Sequence, residues 1–387
     1  MSKIRGSQQG DAIELLHALI ETPSVNPSLE SGGAGEAEIA SLCAEWLQGW
    51  GFDVELVGGD GGRPSVVARH GTGSPTLLFN GHLDTVGVDA MSVPPFRSVA
   101  RDGHITGRGA CDMKGGVASL LVAARDLVRA GHGGTLVVAL TADEEHASVG
   151  MQQVVDAGLR ADAAVVCEPT SLMVMPAHKG FVWVEAIFAG RAAHGSRPEV
   201  GVDAIRHAAA FLAELDTIEA DLAGQPPHPL LGRGSIHAGT IEGGSAASVY
   251  PERCTVLLER RTLPEESADR VIEELEAAAL RAGAKWPDLC VEFHTTLERP
   301  GTEVANDHPL VEGLLDSAAR EGVDSGVAAM TAWVDAAWLN GVGVPAVCFG
   351  PGSIEQAHSA DEWVDAEEVR RCAVVLTDFG RTFLATR

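Results

Sequence analysis

The sequence predicts an α/β fold: a mostly parallel sheet with helices on both faces, interrupted by an inserted ferredoxin-like α+β unit. Three observations predict it. Short β-branched runs ("SVVARH", "TLLFNGH", "TLVVALTA", "AAVVCEP") are apolar throughout instead of alternating, as expected of strands buried on both faces. Helical patterns separate the runs. Near residue 179 the period changes to strict alternation in "GFVWVEAIFAGRAAH", which marks strands with one covered face.

Taken in order, residues 11 to 21 and 36 to 49 carry apolar positions at helical spacing ahead of the first strands. "MKGGVASLLVAARDLVRAG" is a glycine-started, alanine-rich helix ending at Gly131, set between two strands as a parallel crossover requires. In the insert, "GVDAIRHAAAFLAELDTI" reads as a helix, "GSIHAGTIEGG" and "ERCTVLLERRTL" as strands, "EESADRVIEELEAAALRAG" as a helix and "DLCVEFHTTL" as a strand, giving βαββαβ. The first pattern then resumes with a helix at "HPLVEGLLDSAARE", a strand at "PAVCFGPG" and a closing helix at "AEEVRRCAVVLTDFGRTFLA". The expected organisation is a catalytic domain of residues 1–178 and 297–387 around an insert of residues 179–296.

At 387 residues the chain exceeds the size at which one core usually stops growing, which fits two domains. A net charge of −26 argues against nucleic acid or an anionic membrane surface, since both recruit clustered Lys and Arg. The N-terminal stretch lacks the apolar core of a signal peptide and no run reaches transmembrane length, so a cytoplasmic location is expected. Seven cysteines without CxxC spacing support neither a disulfide framework nor a cysteine zinc site. They read as reduced core residues.

The chemistry gathers at strand ends. "TLLFNGHLDTV" closes with His82 and Asp84, and "GRGACDMKGG" places Asp112 where a glycine-rich turn meets a helix. "TADEEH" supplies Glu144 and Glu145, "VVCEPT" supplies Glu168, and "GPGSIEQAHSADEW" supplies His358 in the loop after the last strand. In parallel sheets, sites form at the carboxyl ends of the strands. Two histidines with several carboxylates make an N/O ligand set suited to Zn²⁺ and permissive of Co²⁺ or Mn²⁺. The carboxylates exceed what one tetrahedral ion takes up. Asp143 reads as a solvated turn acid, and Cys111 and Cys167 read as packing residues facing away from their ligand neighbours.

"NGHLDTV", "GRGACDMKGG", "TADEEHASVG", "CEPT", "GRAAHGSRPEVGVDAI" and "FGPGSIEQAHSADEWV" together resemble the M20 family of dinuclear metallohydrolases, the group of acetylornithine deacetylase, succinyl-diaminopimelate desuccinylase, aminoacylase and glutamate carboxypeptidase. The resemblance implies two zinc ions per subunit bridged by Asp112, one completed by His82 and Glu168 and the other by Glu145 and His358. It implies Glu144 as general base and Asp84 as the acid that orients His82. The inserted unit would act as lid and dimerisation domain. Its His194 would reach the partner's site in a homodimer to stabilise the oxyanion, and Arg261 would bind a substrate carboxylate. Ser248 stands where the family usually places an asparagine that contacts substrate. Arg260, on the opposite face from Arg261, reads as an exposed strand charge. Gly352 is expected to help the His358 loop approach the metals, and Gly180 to serve as a hinge.

The leading expectation is a metal-dependent amidohydrolase removing an acetyl- or succinyl-type N-acyl group from an amino acid with a free carboxylate. Within the family, "VDAAWL" at 334–339 keeps a carboxypeptidase or dipeptidase as the alternative, because it resembles a segment of the glutamate carboxypeptidases. A catalytically silent binding protein would be expected to have lost a ligand or the base. Here all six such residues are present.

Overall fold

The computed structural model describes residues 10–385, so the N-terminal stretch without a leader pattern lies in part outside the described residues, at positions 1–9. Contacts divide the chain into two compact units. The first comprises Met1–Pro176, Val304–Ala329 and Val334–Arg387, and the second Ala177–Glu303 with Met330–Trp333.

The first unit begins with α1 (Ala12–Ile20), whose N-cap Asp11 accepts the backbone N–H groups of Ile13 and Glu14, and α2 (Ala37–Gly49). Then come β1 (Asp53–Gly58), β2 (Pro64–Gly71), β3 (Thr76–His82) and the short strands β4 (Val99–Arg101) and β5 (His104–Thr106). Helix α3 (Gly115–Ala130) ends at Gly131, whose positive φ of 76° reverses the chain without steric penalty. It is followed by β6 (Thr135–Thr141), α4 (Val149–Asp156) and β7 (Ala163–Val166). Six strands form one sheet in the order β1, β2, β6, β3, β7 and a later strand at Ala346–Cys348. The last four are mutually parallel, while β1 and β2 join antiparallel at one edge.

Strands β3 and β6 are buried along almost their whole length, as their unbroken apolar sequences require. Leu77, Phe79, Leu136, Val138 and Val165 face a core shared with α1, α2, α3 and the closing helices. Val67, Leu78, Val137 and Ala164 are buried toward the opposite side, where α4 packs against β2 and β6. The fold class is therefore the one read from sequence. Strand β1 went unread, as did the short strands β4, β5 and Trp363–Asp365, which form a separate small sheet.

The second unit contains β8 (Ala177–His178), β9 (Gly180–Ala189), α5 (Ala204–Leu212), α6 (Leu215–Gly224), β10 (Ser235–Gly243), β11 (Arg253–Thr262), α7 (Ala268–Gly283), β12 (Cys290–Arg299) and β13 (Thr302–Glu303). Strands β10, β11, β9 and β12 pair antiparallel in that order, the ferredoxin-like arrangement. Val182, Val184, Ala186 and Phe188 of β9 point into a core with the helices, and the residues between them lie on the other face. The helix expected over 201–218 is divided, with α5 ending before Ala213 and α6 starting at Leu215.

One expectation for this unit is corrected. Arg260 does face away from Arg261, but into the interior: it is 1% exposed and its guanidinium pairs with Glu266 at 2.8 Å and Glu274 at 3.2 Å. A buried guanidinium needs such partners, and α7 and the turn before it provide them. Gly180 is demanded by close backbone approach, since a Cβ there would lie 2.3 Å from the Gly301 nitrogen.

The chain returns to the first unit with α8 (Pro309–Arg320), α9 (Ala336–Gly341), β14 (Ala346–Cys348), β15 (Trp363–Asp365) and α10 (Ala366–Ala385). Among the described residues no helix is long and apolar enough to cross a membrane.

Candidate metal centre

Because β6, β3, β7 and β14 run parallel, their carboxyl ends open on one edge of the sheet, and the predicted ligands follow them there. His82 is the last residue of β3, Glu144 and Glu145 lie in the turn after β6, Glu168 lies two residues past β7, and His358 is in the loop after β14. Asp112 enters from the turn before α3.

Two groups of three form, sharing Asp112. His82, Asp112 and Glu168 can bring one ligand atom each within 4.8 Å of one another, and so can Asp112, Glu145 and His358. The two Asp112 oxygens divide between them: Oδ1 is 3.1 Å from His82 Nε2, and Oδ2 is 3.5 Å from His358 Nε2. His358 Nε2 also lies 2.9 Å from Glu145 Oε2, while Glu145 Oε1 is buried with no hydrogen-bond partner among the described residues. An orphaned carboxylate oxygen is costly unless a cation or proton meets it.

The electrostatics agree. Burial disfavours an imidazolium at His82, yet the Asp112 hydrogen bond and the charges of Glu168 and Glu144 outweigh it and raise the group well above its ordinary value. Hydrogen bonds donated to Asp112 and Glu145 push His358 up to about 10. Burial, reinforced by neighbouring carboxylates, pushes Glu144 and Glu168 well above the usual carboxylate range. Asp84 is pushed up to about 7, again chiefly by burial. Asp84, Glu144 and Glu168 are thus easier to protonate than ordinary carboxyls, while both imidazoles are easier to charge. The donor set of imidazole and carboxylate groups fits divalent ions of the zinc type.

The supports were only partly legible. His82 Nδ1 donates to the main-chain carbonyl of Asp84 at 3.0 Å, which fixes the ring and leaves Nε2 for Asp112 and the ion. The Asp84 carboxylate lies 3.6 Å from the same nitrogen and accepts the backbone N–H groups of Glu144 at 3.1 Å and Glu145 at 3.2 Å. Asp143 corrects the expectation of a solvated acid. It is 5% exposed, adopts φ of 65°, and its carboxylate is 2.8 Å from the Arg63 guanidinium. Its carbonyl accepts the Ser148 N–H at 2.6 Å, which closes the turn.

Sequence reading missed Glu362, buried beneath the Asp112 turn, and Asp335, which accepts from Thr141 Oγ1 at 2.7 Å and from Ser148 Oγ. Gly352 has φ of 83°, and a Cβ there would lie 2.6 Å from Cys111 Sγ, so the loop bearing His358 packs closely on the Asp112 turn. Cys111 and Cys167 are buried, neither belongs to a candidate ligand group, and Cys111 Sγ donates to the Ser353 carbonyl at 3.2 Å.

The remaining candidates lie in the second unit. His194 is exposed, with Nδ1 2.8 Å from Ser196 Oγ, and the Gly195 N–H donates to the Ser248 carbonyl at 2.7 Å, so His194 and Ser248 lie on adjoining segments. Arg261 is half-buried. Its Nε donates to Glu259 at 2.5 Å and its guanidinium lies over the Phe181 ring at 5.3 Å.

Known proteins resemble this chain over most of its length. The chain is 30% identical over 359 residues to the acetylornithine deacetylase of Vibrio parahaemolyticus, covering 91% of this chain and 93% of that one. It is 32% identical over 365 residues to that of Proteus mirabilis, with 91% and 92% covered. In fold it is similar to aminopeptidase PepT from Bacillus cereus, with a TM-score of 0.78, 21% identity and 98% and 99% of the two chains covered. An M20 family metallo-carboxypeptidase from Sulfolobus solfataricus gives a TM-score of 0.79 at 18% identity, with 98% and 100% covered. The family model described as peptidase family M20/M25/M40 matches residues 78–381, a span that holds every candidate ligand, and the chain belongs to that family of metal-dependent hydrolases of amide and peptide bonds.

Proposed function

We propose that the protein is a dinuclear zinc amidohydrolase that removes an acetyl- or succinyl-type acyl group from the nitrogen of an amino acid with a free carboxylate. The observation that carries this is the division of the Asp112 carboxylate between two ligand groups, one oxygen toward His82 and the other toward His358. The acetylornithine deacetylases among the relatives support the acyl-amino-acid class.

In this reading His82, Asp112 and Glu168 hold one ion and Asp112, Glu145 and His358 the other. When bound, such ions polarise a scissile carbonyl and make water a stronger acid at neutral pH. Glu144 takes the proton from the attacking water as its oxygen bonds to the acyl carbon, then delivers it to the amine nitrogen as the C–N bond breaks. Its enclosed position suits it to holding a proton between the two steps. Asp84 keeps the Glu144 backbone in place.

His194, exposed and with its ring set by Ser196, donates to the developing oxyanion in the partner subunit of a homodimer. The planar guanidinium of Arg261 takes the substrate carboxylate, and Ser248 lines the same region. The inserted unit serves as lid and dimerisation domain, and the enzyme acts in the cytoplasm.

The test is turnover of N-acetylated and N-succinylated amino acids beside dipeptides, on protein stripped by chelator and restored with Zn²⁺, Co²⁺ or Mn²⁺. Metal-restored cleavage of the acylated set is expected. Cleavage of dipeptides alone would reject the acyl reading in favour of a peptidase. Mixing Glu144→Ala with His194→Ala subunits should restore activity that neither shows alone, and failure to do so would remove the cross-subunit role of His194.

A further inference from the structure

Asn26 lies outside every recognised motif, yet it is fully buried between the two acids that flank the catalytic turn. Its Nδ2 donates one hydrogen to Asp84 Oδ2 at 2.8 Å and the other to Asp143 Oδ1 at 3.1 Å. The orientation of the amide is settled by its surroundings. Oδ1 accepts the Ser28 N–H at 2.9 Å, and a flipped amide would turn that oxygen onto two carboxylates. The residue is itself anchored, its own N–H donating to the Thr85 carbonyl at 2.9 Å.

Both acids hold the turn. Asp84 accepts the Glu144 N–H with one oxygen and the Glu145 N–H with the other. Asp143 starts the turn in the left-handed region, a conformation that a non-glycine residue keeps only when its surroundings fix it. Those surroundings are an ion-pair frame around one guanidinium. The Arg63 guanidinium binds Glu36 through Nε at 2.8 Å and a terminal nitrogen at 2.7 Å, and the same terminal nitrogen reaches Asp143 at 2.8 Å. Glu36 accepts the Asp143 N–H at 3.1 Å. Asn26 is the neutral double donor that lets the Asp84 and Asp143 carboxylates lie close together without mutual repulsion, which no acid, alanine or hydrophobic residue of its size could do.

We infer that Asn26 is a positioning residue for the hydrolysis: by tying Asp84 to Asp143 it fixes the turn that presents Glu144 to the attacking water and Glu145 to the ion. The inference rests on the roles proposed above for those two glutamates. Because Asn26 is buried, it touches no substrate, and its effect belongs in kcat and metal affinity, not in KM.

The test is Asn26→Asp, nearly isosteric, which replaces the double donor by an acceptor, with Asn26→Ser as a second variant that keeps one donor. Zn²⁺ affinity is measured by competition with a chromophoric chelator, folding by thermal melting, and kcat and KM on whichever substrate the wild type turns over. A loss of at least tenfold in Zn²⁺ affinity or kcat is expected in folded Asn26→Asp, with KM within threefold, as is usual when support for a metal site is removed. If that variant does not fold, Asn26→Ser is read by the same thresholds. Smaller losses in both quantities, even with a lowered melting temperature, would leave Asn26 a purely structural residue and overturn the inference. Should the wild type cleave nothing in the panel, the substrate reading fails by itself, and the Zn²⁺ measurement still decides the place of Asn26.

Discussion

The Glu362 carboxylate accepts the backbone N–H of Asp112 at 3.0 Å from a buried position beneath the turn. The same oxygen accepts the Cys111 N–H at 2.9 Å, and the other accepts the Gly109 N–H at 2.9 Å and the Arg108 guanidinium at 2.8 Å. Four donors converge on one side chain 250 residues away in sequence. The bridging candidate Asp112 is thus held from below by its main chain, and its two side-chain oxygens are turned to the two ligand groups.

Glu362→Gln is therefore expected to cost metal binding more than folding. A glutamine must turn an NH₂ group toward backbone donors whichever way its amide points, so part of the cradle is lost in either rotamer. The expected loss is about 10–100-fold in Zn²⁺ affinity, the range common for partners of metal ligands. Chelator competition on folded variant protein measures it, and unchanged affinity would show the Asp112 turn to be held by its other contacts.

Neighbouring residues at the end of β6 should separate cleanly by experiment. Glu145 belongs to a ligand group with Asp112 and His358, whereas Glu144 belongs to neither group. Glu144→Ala is expected to retain both equivalents of metal while kcat falls by about 10²–10⁴-fold, the usual worth of a general base. Glu145→Ala is expected to lose metal together with activity. Metal analysis beside steady-state kinetics distinguishes them, and equal metal loss in the two variants would reverse the assignment.

These residues also show what a sequence exposes. His82, Glu144, Glu145, Glu168 and His358 were legible because parallel strands announce themselves by unbroken apolar runs, and the residues just past each run must reach one edge of the sheet. Asn26, Glu36, Arg63, Glu362 and Asp335 carry no such marker. Each matters through a contact with a distant segment, and nothing local distinguishes a buried acceptor of four donors from a surface glutamate. Asp143 was misread for the same reason: its acid was visible, but Arg63, 80 positions earlier, was not recognisable as its counter-ion. Arg260 shows the intermediate case. Alternation along β11 gave its direction, while its burial depends on Glu266 and Glu274 arriving from the next turn and helix.

The cysteines offer a test of burial that needs no substrate. Burial pushes the Cys43 and Cys372 thiols up to about 12, and six of the seven are buried, with Cys290 exposed at the start of β12. A thiol reacts as thiolate and only where reagent can reach it. Maleimide labelling of native protein should modify Cys290 well ahead of the others, and Cys290→Ser should leave the native chain nearly unlabelled over the same interval. Mass spectrometry after digestion locates the label. Rapid modification of Cys43 or Cys372 would contradict the core described for the first unit.

A last prediction concerns the pH dependence of stability through His178 in the second unit. The ring is 2% exposed, Nδ1 donates to the Lys179 carbonyl at 3.0 Å, Nε2 has no partner among the described residues, and the Trp333 ring meets it edge-on. Burial pushes the imidazole down to about 4 against the opposing pull of the Lys179 carbonyl. The folded group is thus harder to protonate than the unfolded one at about 6.5. Stability from this neutral ring is present in full above about pH 6.5 and is lost as pH falls toward 4, because the unfolded chain takes up the proton first. Between pH 7 and pH 5 the loss amounts to about 2 kcal/mol. His178→Gln keeps an N–H donor without a titrating group, so the difference in unfolding free energy between wild type and variant should shift by about that amount in favour of the variant over this interval. Urea unfolding followed by tryptophan fluorescence at the two pH values measures the shift. A difference independent of pH would mean that the ring is hydrated in solution or that its proton is accommodated without cost.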